Sequence, residues 1–227
     1  MYSRALATRS AWLACSLAMR AYSLGSEATV LSHVSFSVDR GQVVGLEGRN
    51  GSGKTMAMRV VCGLVRPSEG EVEVGGRHLW ADASFPESVG LLIEAPALLD
   101  FYPAMENLRM LASIKGVTGE GDLRRAVERV GLLPDDRRRV GKYSLGMRQK
   151  LGIAMAIMEA PDLLVLDEPT NALDEESRGR LAGIIGEERD RGAAVLLSSH
   201  DPDFLDGVCD ATYHMDVGKM RPSGGQR

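Results

Sequence analysis

The stretch "GRNGSGKT" (Gly48 to Thr55) decides how this chain is read. It fits G-x-x-x-x-G-K-[ST]. "QVVGLEG" (Gln42 to Gly48) before it reads as a buried strand, and a helical pattern with Met58, Val61 and Cys62 follows from about Lys54. Strand, glycine loop and helix in that order is the context that a phosphate-binding loop requires. Gly48, Gly51 and Gly53 let backbone N–H groups turn inward around phosphate oxygens, and the helix start adds its positive end. Lys54 is expected to reach the β- and γ-phosphates, and the Thr55 hydroxyl to ligate Mg²⁺.

"LLVLDEP" (Leu163 to Pro169) supplies a partner for that loop. A fully apolar strand ends in two acids. Asp167 at the tip suits Mg²⁺ held through its water shell. Neighbouring residues on a strand point opposite ways, so Glu168 is free to polarise an attacking water.

The surrounding pattern is α/β. Val34, Phe36 and Val38 alternate on one face, and "EVEV" (Glu71 to Val74) lies between turns. From about residue 95 to 160 the patterns are helical: Ala104 to Gly116, Gly121 to Leu132 and Gly146 to Ala160. After Pro161 strand and helix alternate again, through "LLVLD", the helix Glu175 to Gly192 and "AAVLLSS" (Ala193 to Ser199). Such alternation implies a parallel sheet. One domain is expected, with residues 11–94 and 161–220 as the core, 95–160 as a helical subdomain and 221–227 as a loose tail.

Bulk properties narrow the function. The chain has 227 residues, 44% hydrophobic and 26% charged, enough for a sizeable core. A net charge of −4 argues against nucleic acid as a partner. The three cysteines, Cys15, Cys62 and Cys209, form no C-x-x-C pair, so neither a zinc site nor a disulfide frame is expected. No run of 18 apolar residues exists, so the chain is not expected to span a membrane by itself. "AWLACSLAM" (Ala11 to Met19) after Arg4 and Arg9 has the outline of a short signal segment. Leu13, Cys15, Leu17 and Met19 at period two favour a first strand instead. His33, His78 and His214 show no ligand spacing and read as surface residues.

Three further segments sharpen the reading: "YSLGMRQK" (Tyr143 to Lys150), "NALD" (Asn171 to Asp174) and "LLSSH" (Leu196 to His200). With the glycine loop and "LLVLDEP" they resemble the nucleotide-binding subunit of an ATP-binding cassette (ABC) transporter, over about Leu13 to Met220. The resemblance implies a P-loop NTPase of the ABC ATPase fold. That fold has a mainly parallel RecA-like core sheet, an N-terminal antiparallel β subdomain and a helical signature subdomain. It implies ATP and Mg²⁺ as cofactors, with Gly48, Asn50, Gly51, Ser52, Gly53, Lys54, Thr55 and Met56 around the phosphates and Tyr22 stacked on adenine. Thr55, Asp167 and Glu94 are implied near the metal, and Glu168, His200 and Lys54 in catalysis.

Ser144, Leu145, Gly146 and Met147 match the signature loop, with Leu145 and Met147 departing from the usual L-S-G-G-Q. Ser144 and Gly146 are expected to cap the helix that follows. The resemblance implies that the signature serves ATP held by a second ABC ATPase subunit and that Asp174 crosses that dimer interface. A separate membrane permease is implied as partner, contacted near Glu94 to Leu108, with the chain cytoplasmic on the inner face of the membrane. Glu94, in "SVGLLIEAPALL" (Ser88 to Leu99), stands where most such subunits have glutamine. With "YPAMENL" (Tyr102 to Leu108) it resembles the subgroup that exports bacitracin- and lantibiotic-type peptides. A soluble ABC ATPase acting on ribosome or DNA is the alternative.

Overall fold

In a computed structural model, which describes residues 11–23 and 26–223 (backbone only at 11, 15–23 and 26–29), period-two alternation becomes an antiparallel sheet. Strands β1 (Ala11–Ser23) and β2 (Ser26–Asp39) pair along their length, so the segment with a signal-like outline is a strand. Val34, Phe36 and Val38 of β2 are buried, as their spacing demands. After β3 (Val43–Glu47) and the helix α1 (Lys54–Val61), β4 (Glu69–Val74) pairs with the other edge of β1, and β5 (Arg77–His78) ends the order β2-β1-β4-β5.

The second sheet carries the site. Its members are β3, β6 (Val89–Leu92), β7 (Leu163–Asp167), β8 (Ala194–Ser199), β9 (Ala211–Asp216) and β10 (Lys219–Pro222). Their order is β10-β9-β3-β8-β7-β6, parallel throughout except for the final β9–β10 pair. β3, β7 and β8 end side by side, with Asp167 opposite Ser198 and Glu47 opposite Ser199. Ligands of parallel sheets bind at such carboxyl ends.

Both faces of this sheet are covered at its centre, so β3, β7 and β8 are apolar and buried nearly throughout rather than alternating. Leu163 and Val165 pack toward α1 and the antiparallel sheet. Leu164 and Leu166 pack toward the helices α2 (Ala104–Lys115), α3 (Glu120–Arg129), α4 (Leu145–Ile157) and α5 (Glu175–Asp190). The helical segment therefore shares one hydrophobic core with the sheet instead of forming its own. α4 approaches β6 closely at two glycines. A Cβ on Gly90 would stand 1.8 Å from the Ala156 carbonyl oxygen, and one on Gly152 2.6 Å from Pro96 Cβ. A short helix α6 (Pro202–Val208) follows β8, and no helix among the described residues is long and apolar enough to cross a membrane.

Candidate functional site

The glycine loop links β3 to α1, and its backbone explains its composition. Gly48, Gly51 and Gly53 have φ of 150°, 80° and 108°, a region that side chains other than glycine rarely enter. Gly48 is also pressed from behind, since a Cβ there would lie 2.3 Å from the Met215 carbonyl oxygen. Gly53 is the N-cap of α1 and offers no side chain to its first N–H groups, which leaves them for an incoming acceptor.

A cleft of about 410 Å³ opens over this loop, and Asn50, Lys54, Thr55, Met56, Asp167 and Glu168 are on its wall. Lys54 is only 5% exposed. Its ammonium donates to the Gly48 carbonyl at 2.5 Å and lies 3.3 Å from Glu168 Oε1. A buried ammonium requires such partners. The Thr55 hydroxyl donates to Asp167 Oδ2 at 2.7 Å, and the Ser198 hydroxyl to Asp167 Oδ1 at 2.6 Å. Two oxygens from different elements thus meet at the strand tips, a donor set suited to a hard divalent cation. Among the described residues Ser52 Oγ and Glu168 Oε1 are buried here without a hydrogen-bond partner, Oε1 facing only the Lys54 ammonium, as a cradle for a polar ligand would leave them.

Glu168 differs in position from its sequence reading. β7 ends at Asp167, and Glu168 sits beyond it with φ of 47°. The two acids diverge because the backbone turns, not because strand neighbours alternate. Its N–H donates to Ser198 Oγ at 2.9 Å. Its Oε2 accepts the His200 N–H at 3.2 Å and meets His200 Nδ1 at 2.8 Å. Lys54, Glu168 and His200 are thereby brought into one chain of contacts.

The signature residues lie elsewhere. Ser144 to Met147, Asp174 and His200 are not on the wall of the cleft. Ser144 is the N-cap of α4 and accepts from the Met147 N–H at 3.2 Å. Gly146 is not a cap: it stands inside the helix, where a Cβ would meet the Ala172 carbonyl oxygen at 2.6 Å. Leu145 is 76% exposed. Asp174 caps α5 by accepting from the Ser177 N–H at 2.9 Å, and hydrogen bonding from the Ser177 side chain, then from that N–H, holds its carboxyl below the usual carboxylate value. Tyr22 lies in β1 opposite Glu27, with its side chain outside the described residues. His33 and His78 are exposed, whereas His214 is half-buried, its Nδ1 3.8 Å from Glu47.

Three residues escaped sequence reasoning. Ser198 orients both Asp167 and Glu168, yet it reads only as one more polar residue at a strand end. Gln149, buried on α4, donates to the Pro169 carbonyl at 3.1 Å and steadies the turn after β7. Arg59, one helical turn beyond Thr55, donates to Glu94 Oε1 at 2.6 Å. Glu94 is on the wall of the same cleft, but this bond draws its carboxylate to Arg59.

Residues 31–171 match the protein family described as "ABC transporter". Over 195 residues the chain is 43% identical to the uncharacterized ABC transporter ATP-binding protein YybJ of Bacillus subtilis, covering 86% of this chain and 89% of that one. It is 35% identical to the bacitracin transport ATP-binding protein BcrA of Enterococcus faecalis, across 86% of this chain but 64% of that protein's length. It is 36% identical to the lantibiotic transport ATP-binding protein SrtF of Streptococcus pyogenes, across 85% and 82% of the two chains. The fold matches a dimeric post-hydrolysis structure of the ATP-binding cassette MJ0796 bound to ADP and Pi, with a TM-score of 0.84 at 18% identity over 93% of this chain and 97% of that one. The chain belongs to the ABC transporter family, beside relatives named as its ATP-binding proteins.

Proposed function

We propose that this chain is the motor subunit of an exporter, hydrolysing ATP at the cleft over Gly48–Thr55 and working on a separate membrane permease. One observation carries the reading: buried Lys54, the Thr55–Asp167 pair and Glu168 converge on a single cleft. The loop N–H groups from Gly48 to Met56 hold the phosphates, and Lys54 exchanges the Gly48 carbonyl for their oxygens. Thr55 and Asp167 would hold Mg²⁺, which supplies positive charge to the phosphates. Glu94 reaches that centre only on leaving Arg59.

Glu168 acts as general base. His200 occupies Oε2, so Oε1, paired with Lys54 until that ammonium turns to the phosphates, is the oxygen that accepts a proton from water. The water oxygen bonds to the γ-phosphorus as the bond to the β–γ bridging oxygen breaks, and ADP leaves with phosphate. Tyr22 stacks on adenine.

Exposed Ser144 and Leu145, remote from this chain's own cleft, suit a site completed by a second cassette, identical or closely related, with Asp174 beside it. An apolar groove of about 530 Å³ includes Phe85, Leu91, Ile93, Leu111 and Ile114, and it adjoins the segment Glu94 to Leu108. The permease docks there, placing the chain at the cytoplasmic face of the membrane. The names of BcrA and SrtF favour a peptide antibiotic or drug-like molecule as cargo. Co-expression with the permease should raise bacitracin tolerance, and Glu168→Gln should remove it. Tolerance surviving that change would sink the export reading.

A further inference from the structure

Arg59 and Glu94 form an ion pair that no motif predicts. Arg59 follows Thr55 by four residues on α1, so the two share a face of the helix. Thr55 addresses the tip of β7, and Arg59 addresses the end of the adjacent strand, β6. Leu92 pairs with Leu166, so Glu94 stands beside β6 as Glu168 stands beside β7. Both acids have left-handed backbones, with φ of 59° and 47°. Each is met by a cation of α1: Lys54 lies 3.3 Å from Glu168, and Arg59 lies 2.6 Å from Glu94. The left-handed turn at Glu94 is costly for a residue with a Cβ and persists only when something holds it. The Arg59 bond is such a hold.

The loop that starts here divides two cavities. Arg59 and Glu94 line the phosphate cleft, whereas their neighbours Ile93, Ala95 and Pro96 line the apolar groove. We propose that Arg59 is a positioning residue: it holds Glu94, and through it the loop 93–102, against α1 while the cleft holds no nucleotide, and gives Glu94 up when Mg·ATP enters. The inference rests on ATP as the ligand of this cleft. Phosphate oxygens compete for the guanidinium and a divalent cation competes for the carboxylate, so loading weakens the pair from both sides. Arg59 and Glu94 are 33% and 61% exposed, so the latch is weak enough for a ligand to open.

Amide hydrogen exchange on the full chain tests this. The reporters are Leu99 N–H, which donates to Asn107 Oδ1, and Tyr102 N–H, which donates to the Leu99 carbonyl. Without nucleotide, Arg59→Gln and Glu94→Gln should each speed exchange in 93–102 by about two- to fivefold, the range expected for a partly exposed ion pair. The double variant should exceed neither single one, because one contact is lost in all three. With Mg·ATP, wild type and Arg59→Gln should become equal. Unchanged exchange in nucleotide-free Arg59→Gln, or effects that add, would overturn the latch. A difference that persists under Mg·ATP would overturn its release. Protection of residues 48–61 by Mg·ATP in wild type is scored separately. Its absence would refute ATP as ligand, and the nucleotide-free comparison would still decide whether Arg59 holds the loop.

Discussion

Gly146 shows how much one hydrogen can matter. Alanine is the better helix former by up to about 1 kcal/mol. Yet a Cβ here would meet the Ala172 backbone oxygen at 2.6 Å, and no flexible side chain can yield. Overpacking of this kind costs about 1–3 kcal/mol, so the clash wins. Gly146→Ala should lower the urea midpoint and pull apart the signature turn and the segment before Asp174. The two cysteines with described side chains behave oppositely to reactive thiols. Burial pushes both Cys62 and Cys209 up to about 12. Near pH 8 both stay protonated, Cys62 buried and Cys209 half-buried. Iodoacetamide should leave them intact in the native chain and modify both in urea, with native reactivity emerging only as pH climbs toward 12. Ready labelling at pH 8 would contradict the packing.

Helix ends and helix–strand contacts carry the next set of consequences. Ser144→Ala removes the α4 cap and should cost about 1 kcal/mol. The α5 cap titrates. Hydrogen bonding from the Ser177 side chain, then from its N–H, lowers the Asp174 pKa below its ordinary 3.8, so the cap contributes above that value and is lost as pH falls through the lowered one. Asp174→Asn should therefore flatten that acid limb, which circular dichroism at low pH can follow. Gly90→Ala brings a Cβ to 1.8 Å from the Ala156 oxygen and should destabilise by roughly 3 kcal/mol in chemical denaturation.

At this scale the sequence was informative where chemistry is local. The glycine loop, the buried strands β3, β7 and β8 and the cap at Ser144 are written in residue types that few other structures need, whereas the Asp174 cap was not read from the sequence. Long-range geometry was not legible. Gly146 reads as a cap because it opens a helical pattern, but its use depends on Ala172, brought near by folding. Arg59 reads as an ordinary helix-surface arginine until β6 places Glu94 beside it. The helical segment reads as an insert, since composition alone does not reveal that Leu164 and Leu166 share its core.

The described residues form three layers: an antiparallel sheet with α1, a parallel sheet, and the helices α2 to α5. The phosphate cleft stands at the sheet's carboxyl ends, and the α4 cap stands apart from it. On the function proposed above, one copy holds both halves of a site without joining them, and two copies head to tail would join each half to its complement. Hydrolysis should then depend on encounter between chains. The direct measurement is phosphate release from Mg·ATP by the purified chain at increasing protein concentration, beside Glu168→Gln. The account predicts that the rate per chain rises with concentration, and that Glu168→Gln still binds ATP but releases at most about a hundredth as much phosphate, the low end for loss of a general base. A rate per chain independent of concentration, or undiminished release by Glu168→Gln, would contradict it.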